Sequence, residues 1–189
     1  MESTYWSKRY QNEETGWDLG EASGPLIQLF KGFKNKNAKI LIPGCGNAYE
    51  AEYLFNEGYK NIYIIDIAPE PLDDFMKRSP NFPSKQIILG DFFNHHGEYD
   101  IIVEQTFFCA INPKMRPIYV DKCHEILNNK GRIIGVLFNR EFDGGPPYGG
   151  NIKEYESLFK LKFSKVNFKH SRHSIKPRKK SEIEICCEK

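Results

Sequence analysis

Five short apolar runs rich in Ile, Val and Leu punctuate the chain, at residues 38–42, 62–67, 86–89, 100–103 and 132–138. Runs this short and continuous suit strands buried on both faces of a parallel sheet, where neither side of the pleat meets water. Between them, residues 49–57, 71–77 and 117–127 read as helices. Asn128-Asn129-Lys130-Gly131 then offers residues tolerant of left-handed backbone, which predicts a helix stop and a turn into the next strand. Towards the C-terminus the pattern becomes alternation, at 163–169 and 182–187, as an antiparallel pair requires. The expected fold class is α/β: a Rossmann-like, mostly parallel seven-stranded sheet with helices on both faces and an antiparallel C-terminal strand pair.

Residues 1–24 precede the first run and carry Tyr5, Trp6, Tyr10 and Trp17, an aromatic density that predicts a helix or cover lying over the carboxyl ends of the strands. Composition narrows the function classes. Hydrophobic residues at 40% and aromatics at 14% exclude a disordered chain. With 27 Lys+Arg against 25 Asp+Glu, the net charge of +2 gives no broad field for a polyanion, so no nucleic-acid partner is expected. No apolar run approaches the ~20 residues of a membrane span, and Glu2, Lys8, Arg9 and Glu13 leave no apolar core for a signal peptide. Cys45, Cys109 and Cys123 are scattered and Cys186-Cys187 are adjacent, without metal-ligand spacing, which predicts free thiols in a reducing, cytoplasmic setting and no metal. The length suits one domain, 1–189.

Chemistry concentrates at the ends of the first three strands. Ile42-Pro43-Gly44-Cys45-Gly46 runs into a helix starting near Tyr49, so glycine backbone and free helix N–H groups face any ligand there. Asp66 closes the second run some twenty residues later, where an acid accepts hydrogen bonds from ribose hydroxyls. Asp91-Phe92 follow the third, an acid for an adenine amino group and an aromatic for its ring. A dinucleotide fingerprint needs a third glycine where Tyr49 stands, so an adenosine cofactor without phosphates, such as S-adenosylmethionine, fits better. Taken singly, each acid also reads as a cap or turn residue.

These residues, with Trp6…Tyr10…Gly16-Trp17-Asp18, Phe107-Phe108-Cys109-Ala110-Ile111-Asn112-Pro113…Arg116 and Gly144-Gly145-Pro146-Pro147-Tyr148, give the chain a resemblance to a known family. It resembles the thiopurine S-methyltransferase-like class I methyltransferases, especially the plant-type thiol and halide methyltransferase branch. The resemblance implies the class I methyltransferase fold and S-adenosylmethionine as cofactor, with S-adenosylhomocysteine as product. It also implies cofactor contacts at Trp6, Tyr10, Trp17, Gly44, Gly46, Asp66, Asp91, Phe92 and Glu104. The implied reaction is methyl transfer to a small acceptor, a thiol or thiolate, sulfide, thiocyanate or halide, with Gln105, Phe107 and Tyr148 as acceptor-pocket candidates. Such acceptors are already partly or fully ionised, so no catalytic base is required. Tyr10, Glu104 and Gln105 depart from the family's usual Trp, Asp, and Tyr or Arg.

Other readings stand beside these. Trp6 and Tyr10, four apart, also suit a packing pair; of Phe107 and Phe108, expected on a strand, one belongs to the core. Cys109 reads as a buried thiol rather than a nucleophile, and His95-His96 as a solvated turn. The basic string Arg172-His173…Lys176-Pro177-Arg178-Lys179-Lys180 reads as a solvated hairpin loop, or else as an attractor of an anionic acceptor. The expected partner is a small-molecule acceptor, and the expected state a monomer or weak homo-oligomer. A metalloid oxyanion, protein or RNA acceptor, or a non-catalytic S-adenosylmethionine-binding module, remains the alternative.

Overall fold

The computed structural model describes residues 3–189, so the first two residues of the expected N-terminal cover lie outside the described residues. Seven strands form one sheet in the order β3-β2-β1-β4-β5-β7-β6. They are β1 (Ile40–Pro43), β2 (Ile62–Asp66), β3 (Ile87–Leu89), β4 (Tyr99–Gln105), β5 (Leu127–Phe138), β6 (Lys165–His170) and β7 (Glu182–Glu188). The first five pair in parallel, and β7 inserts antiparallel between β5 and β6. The apolar runs are continuous because successive side chains feed two separate cores. Leu41, Ile102 and Ile133 pack on one face of the sheet, while Ile40, Ile42, Ile101 and Ile134 pack on the other.

Helices α1 (Ser3–Gln11), α2 (Gly24–Phe30), α3 (Tyr49–Asn56), α4 (Pro69–Arg78), α5 (Arg116–Ile126) and α6 (Ile152–Phe159) surround the sheet. Two of them, α2 and α6, fall outside the helices the sequence pattern predicts. Helix α2 has only seven residues, too few for a period to stand out. Helix α6 does carry a signal: Asn151 accepts from the Glu154 N–H at 3.1 Å, and Tyr155 and Phe159 are buried one turn apart.

Two further expectations change. The segment 128–131 is not a turn before a strand; β5 already begins at Leu127. Tyr99 pairs with Leu127 and Ile101 with Arg132, so the intervening residues bulge out of the ladder, with Lys130 at φ 64°. Phe107 and Phe108 do not lie on a strand, because β4 stops at Gln105 and Thr106 turns the backbone left-handed at φ 58°.

Candidate active site

Because β1 to β5 run in parallel, their carboxyl ends open together, and there the chain encloses a cavity of about 780 Å³. Its floor is the turn after β1. Gly44, Gly46 and Ala48 take φ values of 55°, 52° and 54° in succession. A Cβ on Gly44 would sit 2.2 Å from the Phe107 ring, and one on Gly46 would sit 2.8 Å from the Tyr10 hydroxyl oxygen. Gly44 therefore demands glycine twice over, by backbone angle and by space, and Gly46 chiefly by backbone angle, since the Tyr10 hydroxyl is the movable end of a side chain.

Asp66 holds this turn in place. Its Oδ2 accepts from the Gly46 N–H at 2.8 Å and its Oδ1 from the Ala68 N–H at 2.9 Å. It is 8% exposed and lines the cavity, with lone pairs beyond those two bonds. Burial raises its carboxyl above the ordinary carboxylate range, and the backbone N–H groups oppose that rise. Asp91 follows the same double pattern at the end of β3. It caps the next turn by accepting from the Phe93 N–H at 2.9 Å, and it faces the cavity with Phe92.

The N-terminal segment closes the top. Helix α1 buries none of its residues fully, and it is tied to α4 by a 2.6 Å hydrogen bond from Gln11 Nε2 to Glu70 Oε1. Trp6 and Tyr10 both meet Trp17 edge-to-face, with ring centroids 5.3 and 5.7 Å apart, and all three line the cavity. Trp6 and Tyr10 therefore share Trp17 as a packing partner while they line the cavity. Burial chiefly, and then the Asp66 charge, push the Tyr10 hydroxyl far above its ordinary value. Beyond Trp17, the Asn47 amide donates to Asp18. Ser23 donates its N–H to Glu50 Oε1 at 3.0 Å and its hydroxyl to Gln105 Oε1 at 3.3 Å.

Glu104 does not join them. It is 0% exposed and lies behind the cavity wall, not on it. Its Oε1 accepts from the N–H groups of Phe107 and Phe108, at 2.9 and 2.8 Å, and its Oε2 from the Tyr119 hydroxyl at 2.7 Å. The carboxylate shapes the 106–108 turn, which corrects its expected place among the cofactor contacts. Burial pushes its carboxyl up to about 7.

The remaining wall gathers distant segments. Gln105, Phe107 and Tyr148 all reach it, joined by Phe138, Arg140 and Phe142. Phe108 is core, so the aromatic pair divides as expected. The Tyr148 N–H donates to the Cys109 carbonyl at 2.7 Å. Behind it the buried Arg116 guanidinium donates to the Gly149 carbonyl and to Glu154 Oε1, both at 2.8 Å. Cys109 Sγ donates to the Thr106 carbonyl at 3.2 Å, and burial chiefly, with Glu104 nearby, pushes the thiol up to about 12. Such a thiol stays protonated and is no nucleophile. His95 pairs with the Tyr99 hydroxyl at 2.8 Å, and among the described residues no group of three or more His, Cys, Asp or Glu is placed to hold a metal.

Sequence reasoning missed Ser23, Glu50 and Arg140, and for Arg178 it left open a solvated hairpin loop or an attractor of an anionic acceptor. Arg178 lines the cavity and is 9% exposed, so it is not in a solvated loop. A signal was there: Glu182, four residues on, is its ion-pair partner at 3.5 Å.

The residues fit an adenosyl sulfonium ligand: a glycine floor that any Cβ would fill, acids with free lone pairs at two strand ends, and three aromatic rings above. The fold agrees. The 1,6-didemethyltoxoflavin-N1-methyltransferase of Burkholderia thailandensis, crystallised with 1,6-didemethyltoxoflavin and S-adenosylhomocysteine, matches with a TM-score of 0.77 at 15% identity. That match covers 99% of this chain and 86% of that one. The architecture is therefore that of the class I, S-adenosylmethionine-dependent methyltransferases. Sequence comparison carries the assignment further: the thiopurine S-methyltransferase family model matches residues 1–189, and the chain belongs to that family. Among its relatives, probable thiol methyltransferase 2 of Arabidopsis thaliana is 28% identical over 181 residues, spanning 92% of this chain and 80% of the relative. Thiocyanate methyltransferase 1 of Brassica oleracea is 27% identical over 189 residues, spanning 96% and 83%.

Proposed function

We propose that this methyltransferase acts on a small, soft, anionic acceptor: a thiolate, sulfide, thiocyanate or halide. The observation that carries the reading is the division of one cavity into two unlike walls. The wall of the glycine turn is acidic, with Asp18, Glu50 and Asp66. The facing wall is aromatic, with Phe107, Phe138, Phe142 and Tyr148, and carries an exposed Arg140 whose guanidinium stands 4.7 Å from the Phe142 ring. The acidic wall suits a cation and the other suits an anion with little hydration.

S-adenosylmethionine supplies an electrophilic methyl group on a sulfonium. In this reading Asp66 takes the ribose hydroxyls on its free lone pairs, and Asp91 and Phe92 take the adenine. Gly44 and Gly46 allow close backbone approach, and Trp6, Tyr10 and Trp17 cover the positive centre. Phe107, Tyr148 and Gln105 orient the acceptor. Alignment of the two partners contributes up to ~7–11 kcal/mol, and a site that excludes water strengthens their attraction. The same reading has the chain acting as one domain, as a monomer or weak homo-oligomer without nucleic acid, in the reducing cytoplasm. Five unpaired cysteines support that compartment, and among the described residues no helix is long and apolar enough to cross a membrane.

The test is a transfer panel with purified protein, S-adenosylmethionine and sulfide, thiocyanate, aryl thiols, thiopurines, iodide, selenite or tellurite. S-adenosylhomocysteine should form with the sulfur acceptors or iodide. Turnover confined to the oxyanions would move the acceptor class. Cofactor binding with no turnover on any acceptor would make the chain a non-catalytic binder.

A further inference from the structure

Residues 17–23 cross the mouth of the cavity and carry Trp17, the ring on which both Trp6 and Tyr10 lean. The carbonyl of Trp17 accepts a 2.6 Å hydrogen bond from Arg178 Nη2, a residue 161 positions away in sequence. Arg178 is well braced for this. Its guanidinium stands 5.7 Å from the Phe138 ring at the end of β5, and its Nη1 lies 3.5 Å from Glu182 Oε1 at the start of β7. Two sheet strands therefore fix the group that grips the cover. The same loop touches the segment again at Gly24, where a Cβ would lie 2.7 Å from the His173 carbonyl oxygen.

We infer that Arg178 is a positioning residue for the cofactor site: it fastens the N-terminal aromatic cover to the sheet through the Trp17 carbonyl. Glu182 faces Arg178 and, among the described residues, makes no hydrogen bond or ion pair to the cover. The basic loop, for which the sequence offered a solvated hairpin or an attractor of an anion, is thus a clasp. Its guanidinium fork grips a carbonyl with one nitrogen and faces a carboxylate with the other, which a lysine reproduces only in part.

Two variants separate the clasp from simple loss of an ion pair. Arg178→Met and Glu182→Gln both abolish the pair with the neighbour, yet only the first releases Trp17. Trypsin cleavage at Lys8 or Arg9 in the protein without added ligand reads the cover directly. Arg178→Met should be cut about tenfold faster than wild type, Arg178→Lys at an intermediate rate, and Glu182→Gln close to wild type. Calorimetry with S-adenosylhomocysteine reads the consequence: weakening of about tenfold in Arg178→Met and less than twofold in Glu182→Gln. Equal effects of Arg178→Met and Glu182→Gln in both assays, or wild-type behaviour of Arg178→Met, overturn the clasp. Should Arg178→Met fail to fold because Glu182 is left buried without a partner, Arg178→Met/Glu182→Gln removes that charge and carries the same comparison. The calorimetric arm rests on the proposed cofactor reading and the protease arm does not. A wild-type protein that fails to bind S-adenosylhomocysteine sinks that reading and leaves the clasp to the protease result.

Discussion

The wall formed by the ends of β1 and β2 and the wall formed by residues 105–111 and 138–148 face each other across one cavity, yet they take their shape from different sources. The first is backbone: three left-handed positions at alternate residues 44, 46 and 48, held by an aspartate that accepts two main-chain N–H bonds. The second is side chains, with aromatic rings set on a turn by buried Glu104 and on a loop by buried Arg116. A backbone wall tolerates changes in what surrounds it and recognises one ligand. A side-chain wall changes its ligand whenever a residue changes. Two of this chain's relatives, a probable thiol methyltransferase and a thiocyanate methyltransferase, differ by name in their acceptor.

The largest expected effect falls on Glu104, where the two walls meet, because the turn it holds sets Phe107 against Gly44. Glu104→Ala leaves two N–H groups and a tyrosine hydroxyl without an acceptor, costing about 1–3 kcal/mol for each. Denaturant unfolding checks this. Glu104→Gln keeps an acceptor for both N–H groups and turns its amide to the Tyr119 oxygen, so it retains the shape and removes the charge. The pH dependence follows from burial, which raises the folded carboxyl from 4.5 to about 7. A raised value means that the folded state holds the proton more tightly. The associated stability is therefore full below 4.5 and is lost as the pH climbs through 7. The advantage of Glu104→Gln over wild type should widen by roughly 3 kcal/mol between acid and pH 8. Parallel pH profiles for the two proteins would show that the Glu104 carboxyl binds its proton equally in the folded and unfolded states, so that burial does not shift it.

The contrast between the walls also decides what could be read from sequence. Gly44, Gly46, Asp66 and Asp91 stood out because each is a residue type demanded by a strand end, and strand ends show as breaks in the apolar runs. The two-faced burial of Leu41 against Ile40 and Ile42 gave the parallel sheet in the same way. Glu104 entered the cofactor contacts through the family resemblance alone, which cannot say which of two strand neighbours points into a cavity and which beneath it. Strand alternation puts them on opposite sides. For Arg178 the basic run leaves two readings open, a solvated hairpin or an attractor of an anion, because such a run looks alike whether one member is buried or none is. Its partners Trp17 and Phe138 come from separate parts of the chain, the first of them 161 positions away.

The next effect in size sharpens the backbone wall. In Gly44→Ala the left-handed backbone and the overlap with Phe107 combine, at a cost of about 2–4 kcal/mol. S-adenosylhomocysteine affinity in calorimetry should fall accordingly, with acceptor KM affected only through the cofactor. Gly46→Ala meets the movable end of Tyr10 instead and should lose less. If the two alanine variants bound equally well, the close approach of Phe107 to the turn would not matter for the site.

The smallest effect tests the opposite wall alone. Arg140 is exposed and bonded only weakly, through Nε to the Glu141 carbonyl at 3.5 Å, while its guanidinium lies against Phe142. Its charge therefore acts on an arriving anion through solvent, where interactions are screened over about 8–10 Å at ordinary salt. Arg140→Gln should raise acceptor KM for thiolate or thiocyanate about two- to fourfold at low salt, and the difference should fade as salt is added. Cofactor affinity should stay put, because Asp66 and the glycine turn lie across the sheet order at β1 and β2. Steady-state kinetics at two ionic strengths, paired with calorimetry, distinguish the outcomes. A salt-independent rise in KM would place Arg140 in direct contact with the acceptor. A loss of cofactor affinity would mean that the two walls are not separate in function, whatever their separation in construction.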